Sequence, residues 1–143
     1  MTFTKLILAL ACLISVAFVA QEAKSTRGAE LAPESGARVT RLMSRDLPDV
    51  PSKVGLMIAV EYPPGGSDPV HRHNADAFVY VLQGSVVMQV RGGKQVMLTP
   101  GQTFYEGPDD VHVVGRNASD TKPAKFLVFL VKKKGAPIMV PVK

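Results

Sequence analysis

Three histidines are the chain's only imidazoles: His71, His73 and His112. His71 and His73 stand two apart, so on a strand both side chains leave the same face. That spacing lets two imidazoles share one metal ion. His112 follows much later, at the start of another apolar run, and is the expected third ligand. Three neutral imidazoles would leave open positions on a divalent ion for water or substrate. Imidazole suits several ions, and Fe, Mn, Zn and Ni all stay open on ligand type. The competing reading of the pair is two loop histidines beside Arg72 and Asn74.

One carboxylate stands out. Glu106 shares strand parity with Phe104 and precedes His112 through a Gly107-Pro108-Asp109 turn. It reads as a charge at a rim, as a fourth ligand, or as the catalytic general base beside a metal. Of these, the rim charge is the leading expectation. Asp76 has the wrong parity, and Gln83 falls in a turn. The single cysteine, Cys12, excludes an intramolecular disulfide and every paired-cysteine metal or redox motif. Neither a glycine-rich phosphate loop nor a Ser-His-Asp arrangement can be argued.

The elements that must hold these residues are strands. Short apolar runs, many rich in valine, alternate with Gly, Pro, Asn and Asp clusters. The pattern predicts strands at 39–44, 54–62, 70–73, 77–82, 86–91, 95–98, 103–106, 111–116, 125–131 and 138–142. Turns are expected at Pro63 to Gly66, Gln83-Gly84, Gly92-Gly93, Pro100-Gly101 and Asn117 to Pro123. After the first twenty residues no segment keeps a 3.6-residue period. Many short strands with tight turns mean an all-β sandwich or barrel. If the histidine register continues, Ala77, Val79 and Val81 face inward, and Phe78 and Tyr80 face out into a sheet or subunit contact. Phe104 and Phe129 are candidate walls of the cavity.

Gly65, then five residues, His71-Arg72-His73 and a strand ending at Gly84 resembles the first signature of the cupin family. Gly101, Pro108, His112 and Asn117 resemble the second. The resemblance is to small single-domain exported bacterial cupins. It implies a jelly-roll β-barrel with a mononuclear divalent metal held by His71, His73 and His112. The family's usual glutamate, four residues after the second histidine, falls on Ala77 here. The resemblance also implies pairing of two copies as a homodimer.

The ends and the charge complete the outline. Lys5 is followed by an apolar run from Leu6 to Ala20, broken only by Ser15. That run is short for a membrane span and has the form of a signal peptide, placed at 1–20. It predicts a periplasmic or secreted protein with no stable membrane span. Residues 21–37 read as a linker or N-terminal arm, and 38–143 as the single barrel domain. The chain has 17 Lys+Arg against 12 Asp+Glu, a net charge of +5 too scattered for nucleic-acid binding. The expected partner is a small organic molecule, bound or transformed. Oxygen insertion, isomerisation and hydrolysis all remain open. The alternative is a barrel that binds or senses a small ligand without metal or chemistry.

Overall fold

Strict alternation builds the sheets. In Ala75–Gln83, residues 75, 77, 79 and 81 are buried, while Phe78, Tyr80 and Leu82 are exposed. In Ala124–Lys133 every even-numbered residue is buried, from Ala124 through Phe126, Val128 and Leu130 to Lys132. A period of two with one buried face is the mark of a sheet packed on one side. The computed structural model describes residues 36–143. The expected signal peptide, and all of the expected arm before Gly36, lie outside the described residues.

Among the described residues ten strands form, each overlapping an expected run: β1 (Arg38–Asp46), β2 (Lys53–Tyr62), β3 (His71–Arg72), β4 (Ala75–Gln83), β5 (Val86–Val90), β6 (Val96–Leu98), β7 (Thr103–Glu106), β8 (His112–Asn117), β9 (Ala124–Lys133) and β10 (Val140–Pro141). They make two five-stranded sheets, β1-β2-β9-β4-β7 and β10-β3-β8-β5-β6. All named strand pairs are antiparallel. The inner faces meet in one core of Leu56, Ile58, Val60, Tyr62, Val79, Val81, Val86, Met88, Phe126, Val128 and Leu130. This is the all-β jelly roll.

Two details position the site. β3 ends at Arg72, one residue earlier than the sequence suggests, because Asn74 takes a left-handed conformation with φ of 49°. Asn tolerates that region better than most residues. The tight turn swings His73 back toward His71. Asn117, at the other end of β8 from His112, ties the loops there. Its amide donates to the carbonyls of Pro63 (2.9 Å) and Lys122 (2.8 Å), and its oxygen accepts from the Ser119 N–H (2.9 Å).

Candidate metal centre

The site is built where the two sheets face each other. β3 and its turn supply His71 and His73, the end of β7 supplies Glu106, and the start of β8 supplies His112. His71 Nδ1 donates to the Pro69 carbonyl (2.7 Å), and His73 Nδ1 donates to the Ile138 carbonyl (2.6 Å). A neutral imidazole carries one proton, so both Nε2 atoms are left as bare lone pairs. Those two atoms lie 3.3 Å apart. Burial, and then the neighbouring His73 and His112, hold the His71 pKa below its ordinary value, so it stays neutral at pH 7. Two lone pairs facing each other are unfavourable until a cation stands between them.

Glu106 is 2% exposed, which overturns the reading of it as a rim charge. Its Oε1 meets His112 Nδ1 at 3.1 Å. Its Oε2 is buried with no hydrogen-bond partner among the described residues and lies 3.8 Å from His73 Nε2. Ligand atoms of His71, His73 and Glu106 all fall within 4.8 Å of one another. A buried carboxylate oxygen without a donor, next to two imidazole lone pairs, fits a divalent cation.

His112 lies in the same cavity but outside that group of three. Its Nε2 donates to the Val114 carbonyl (2.6 Å), which leaves Nδ1 for Glu106. Burial pushes the His112 pKa down, but the Glu106 carboxylate outweighs it and the net direction is upward. Glu106 moves the opposite way. Burial raises its pKa, and the hydrogen bond to His112 with the surrounding imidazoles brings it below its ordinary value. With Nε2 given to Val114, Nδ1 faces the carboxylate, and both shifts favour the charged form of the pair.

The turn between Glu106 and His112 is closed by Asp110, whose carboxylate accepts from the Gly107 N–H at 2.7 Å. Gly115 on β8 keeps this packing close: a Cβ there would stand 3.1 Å from the His112 ring and the Tyr62 hydroxyl, tighter than ordinary contact. Tyr62 is fully buried and donates a very short hydrogen bond to Asp68. Burial and the Asp68 charge push its pKa well up, so it remains a phenol.

These groups line a cavity of about 140 Å³ whose other walls are Val39, Ile58, Val60, Val79, Met88, Phe126, Val128, Ile138 and Met139. Ala77 and Val81 face inward as expected but sit outside its lining. Of the two expected walls, Phe104 packs near the site with its ring 6.4 Å from that of His112. Phe129 is on the outer face of its sheet, near Phe78. Phe126, Tyr62 and Asp68 escaped the sequence reading. The signal for Tyr62 and Phe126 was strand parity on β2 and β9; Asp68 lies in the loop before β3 and carries no such signal.

A family model described as a cupin domain matches residues 58–130, just over half of the 143 residues. The chain belongs to the cupin family. Among solved structures, this cupin is similar to the polyketide cyclase RemF from Streptomyces resistomycificus, with 24% identity and a TM-score of 0.59 over 78% of this chain and 75% of that one. It is also similar to the DMSP lyase DddQ from Ruegeria pomeroyi, with 22% identity and a TM-score of 0.55 over 62% of this chain. There the cupin spans only 43% of the other chain's length. A cupin-like protein from Thermotoga maritima has a TM-score of 0.63 at 19% identity, over 81% of this chain and 85% of that one. At these identities the likeness is one of fold. Comparison with curated proteins finds no match.

Proposed function

We propose that this cupin is a divalent-metal enzyme acting on a small, largely apolar organic molecule, with His71, His73 and Glu106 as its protein ligands. The observation that carries this reading is the pair of Nε2 lone pairs 3.3 Å apart, each fixed by an Nδ1–H bound to a backbone carbonyl. Carbonyls on the far nitrogens fix the tautomer that ligation needs. Bound there, a metal supplies a Lewis acid for an oxygen substituent or a water. The chain's own residues do the rest. Val79, Phe126 and Val128 exclude water from the reacting end. Tyr62, held by Asp68, presents a phenol that stays protonated. His112 holds the Glu106 carboxylate and is the group placed to keep or release a proton at Nδ1. The cavity's 140 Å³ is close to the ~150 Å³ that accommodates one benzene-sized molecule. The polyketide cyclase and the lyase among the similar folds act on organic molecules, which supports the same broad class here.

The Glu106–His112 ion pair favours a second reading. It satisfies half of the carboxylate without any metal, as a ligand-binding barrel would need. Elemental analysis of the purified protein decides. One equivalent of Fe, Mn, Zn or Ni, lost in His71→Ala, supports the enzyme. A metal-free protein that resists reconstitution supports the binding barrel.

Export remains our reading of the Leu6 to Ala20 run. An intact mass starting just after Ala17, Ala20 or Ala23 is expected; full-length soluble cytosolic protein would overturn it. Exposed Phe78, Tyr80, Leu82 and Tyr105 support pairing of two copies across this face.

A further inference from the structure

The inward face of β9 ends on a charge. After Phe126, Val128 and Leu130, the next core-facing position is Lys132, only 5% exposed. Its neighbours across the sheet are Val54 on β2 and Ala75 on β4, both buried. A buried cation is rarely left without a counter-charge. Here Nζ donates to the Lys133 carbonyl at 3.2 Å, and no carboxylate among the described residues lies within ion-pair distance. The charged neighbour acting on it is Arg41, and burial and that like charge both lower the Lys132 pKa.

β1 bends to bring Arg41 there. Its register against β2 shifts between Arg41 and Met43, which pair with Ile58 and Met57. The extra residue, Leu42, keeps both Arg41 and Ser44 on the inward side, over Ile58 and Leu56. Bulges re-aim side chains in this way. Lys132, Arg41 and Ser44 open onto a cavity of about 570 Å³ with apolar walls that include Val54, Leu56 and Met139. Among the described residues the one acid lining it, Asp46, is already held by Lys134 at 2.7 Å. Ile138 and Met139 line both this cavity and the metal cavity.

We propose that this groove is a second binding site, for a small monoanion with an apolar body: Lys132 and Arg41 take a carboxylate head group, and Val54, Leu56 and Met139 take the chain behind it. The site does not depend on metal. It uses a charge that costs stability where it stands, since an apolar side chain of similar length would fill the same position without desolvation.

The test is calorimetric titration of the full chain with octanoate, with octylammonium as the charge control. Wild type should bind one octanoate saturably and octylammonium not at all. Lys132→Met should weaken octanoate at least about tenfold, the scale of a hydrogen bond to a charged group. Arg41→Gln, at an edge position where folding is not at risk, should weaken it severalfold. His71→Ala should bind octanoate as wild type does. No saturation at about 10 mM octanoate overturns the proposal. So does equal binding of octylammonium, unchanged binding in both charge variants, or loss in His71→Ala with retention in Lys132→Met. That last pattern would put the anion in the metal cavity, whereas a metal-free protein would leave this site standing.

Discussion

Ala77 and Glu106 are direct partners across the β4–β7 ladder, both buried and both facing the cavity side. Position 77 is where related cupins usually carry a glutamate. Here the methyl group leaves room and the facing strand supplies the carboxylate. Directly opposed Cβ atoms in such a pair are about 4.5–5.5 Å apart, so a glutamate on either strand projects into the same part of the core. The carboxylate is therefore expected to be transferable. Glu106→Ala should lose at least about a hundredfold in metal affinity, and Ala77→Glu with Glu106→Ala should recover most of it. Competitive chelation measures both. A double variant no better than Glu106→Ala would show that only β7 aims a carboxylate correctly.

The imidazoles should divide into two kinds. His71→Ala and His73→Ala each remove a lone pair from the 3.3 Å pair and should abolish stoichiometric metal. His112→Ala removes only the partner of Glu106 and should cost about 10–100-fold in affinity. Elemental analysis after dialysis reads the first, and a chelator titration reads the second. A His112→Ala loss as complete as that of His71→Ala would restore the three-histidine ligand set.

Asn117 should matter for stability rather than for metal. Asn117→Ala forfeits three partly buried hydrogen bonds and should lower unfolding free energy by about 2–4 kcal/mol. Asn117→Asp keeps an acceptor for Ser119 but sets a carboxylate against two carbonyls, and should be no better. Urea denaturation checks both.

Glu61 carries a pH dependence. It accepts from Arg38 (2.7 Å) on β1 and pairs with Lys125 (2.8 Å) on β9, a charge ladder across three strands. The Lys125 and Arg38 hydrogen bonds hold its pKa below 4.5 in the folded protein. The ionised form is thus favoured by folding. Its stabilisation is complete above 4.5 and is lost as pH falls through the lower folded value. With the groups partly exposed, Glu61→Gln should cost about 0.2–1 kcal/mol at pH 7, and the gap from wild type should close toward pH 3. Molar salt should narrow the same gap at pH 7. A gap that widens on acidification would contradict the assignment.

How much was legible follows from what each signal depends on. All ten strands were visible because alternation and turn residues are local properties of the chain. The inward set Ala77, Val79 and Val81 came from parity carried forward from the histidines, and it holds. The rest needed to know which strands are neighbours. Glu106 had the right parity, yet nothing local says that β7 lies beside β4, opposite the vacant position. Phe129 misled because β9 is apolar on both faces, so composition did not tell inside from outside. Lys132 closes an apolar run beside Lys133 and Lys134, a pattern that by itself fits a solvated strand end. Only the even-residue parity of β9 marks it as core-facing.

The hydrogen bond from His73 to Ile138 spans 65 positions of sequence. The imidazole pair is therefore oriented only after the segment before β10 has docked beside β3, which needs the sandwich to be largely complete. An ion that requires this finished geometry has little to hold in a half-formed chain. It should slow the escape from the native state while leaving the rate of reaching it nearly unchanged. The centre would then act as a latch on a closed barrel rather than a seed for its closure.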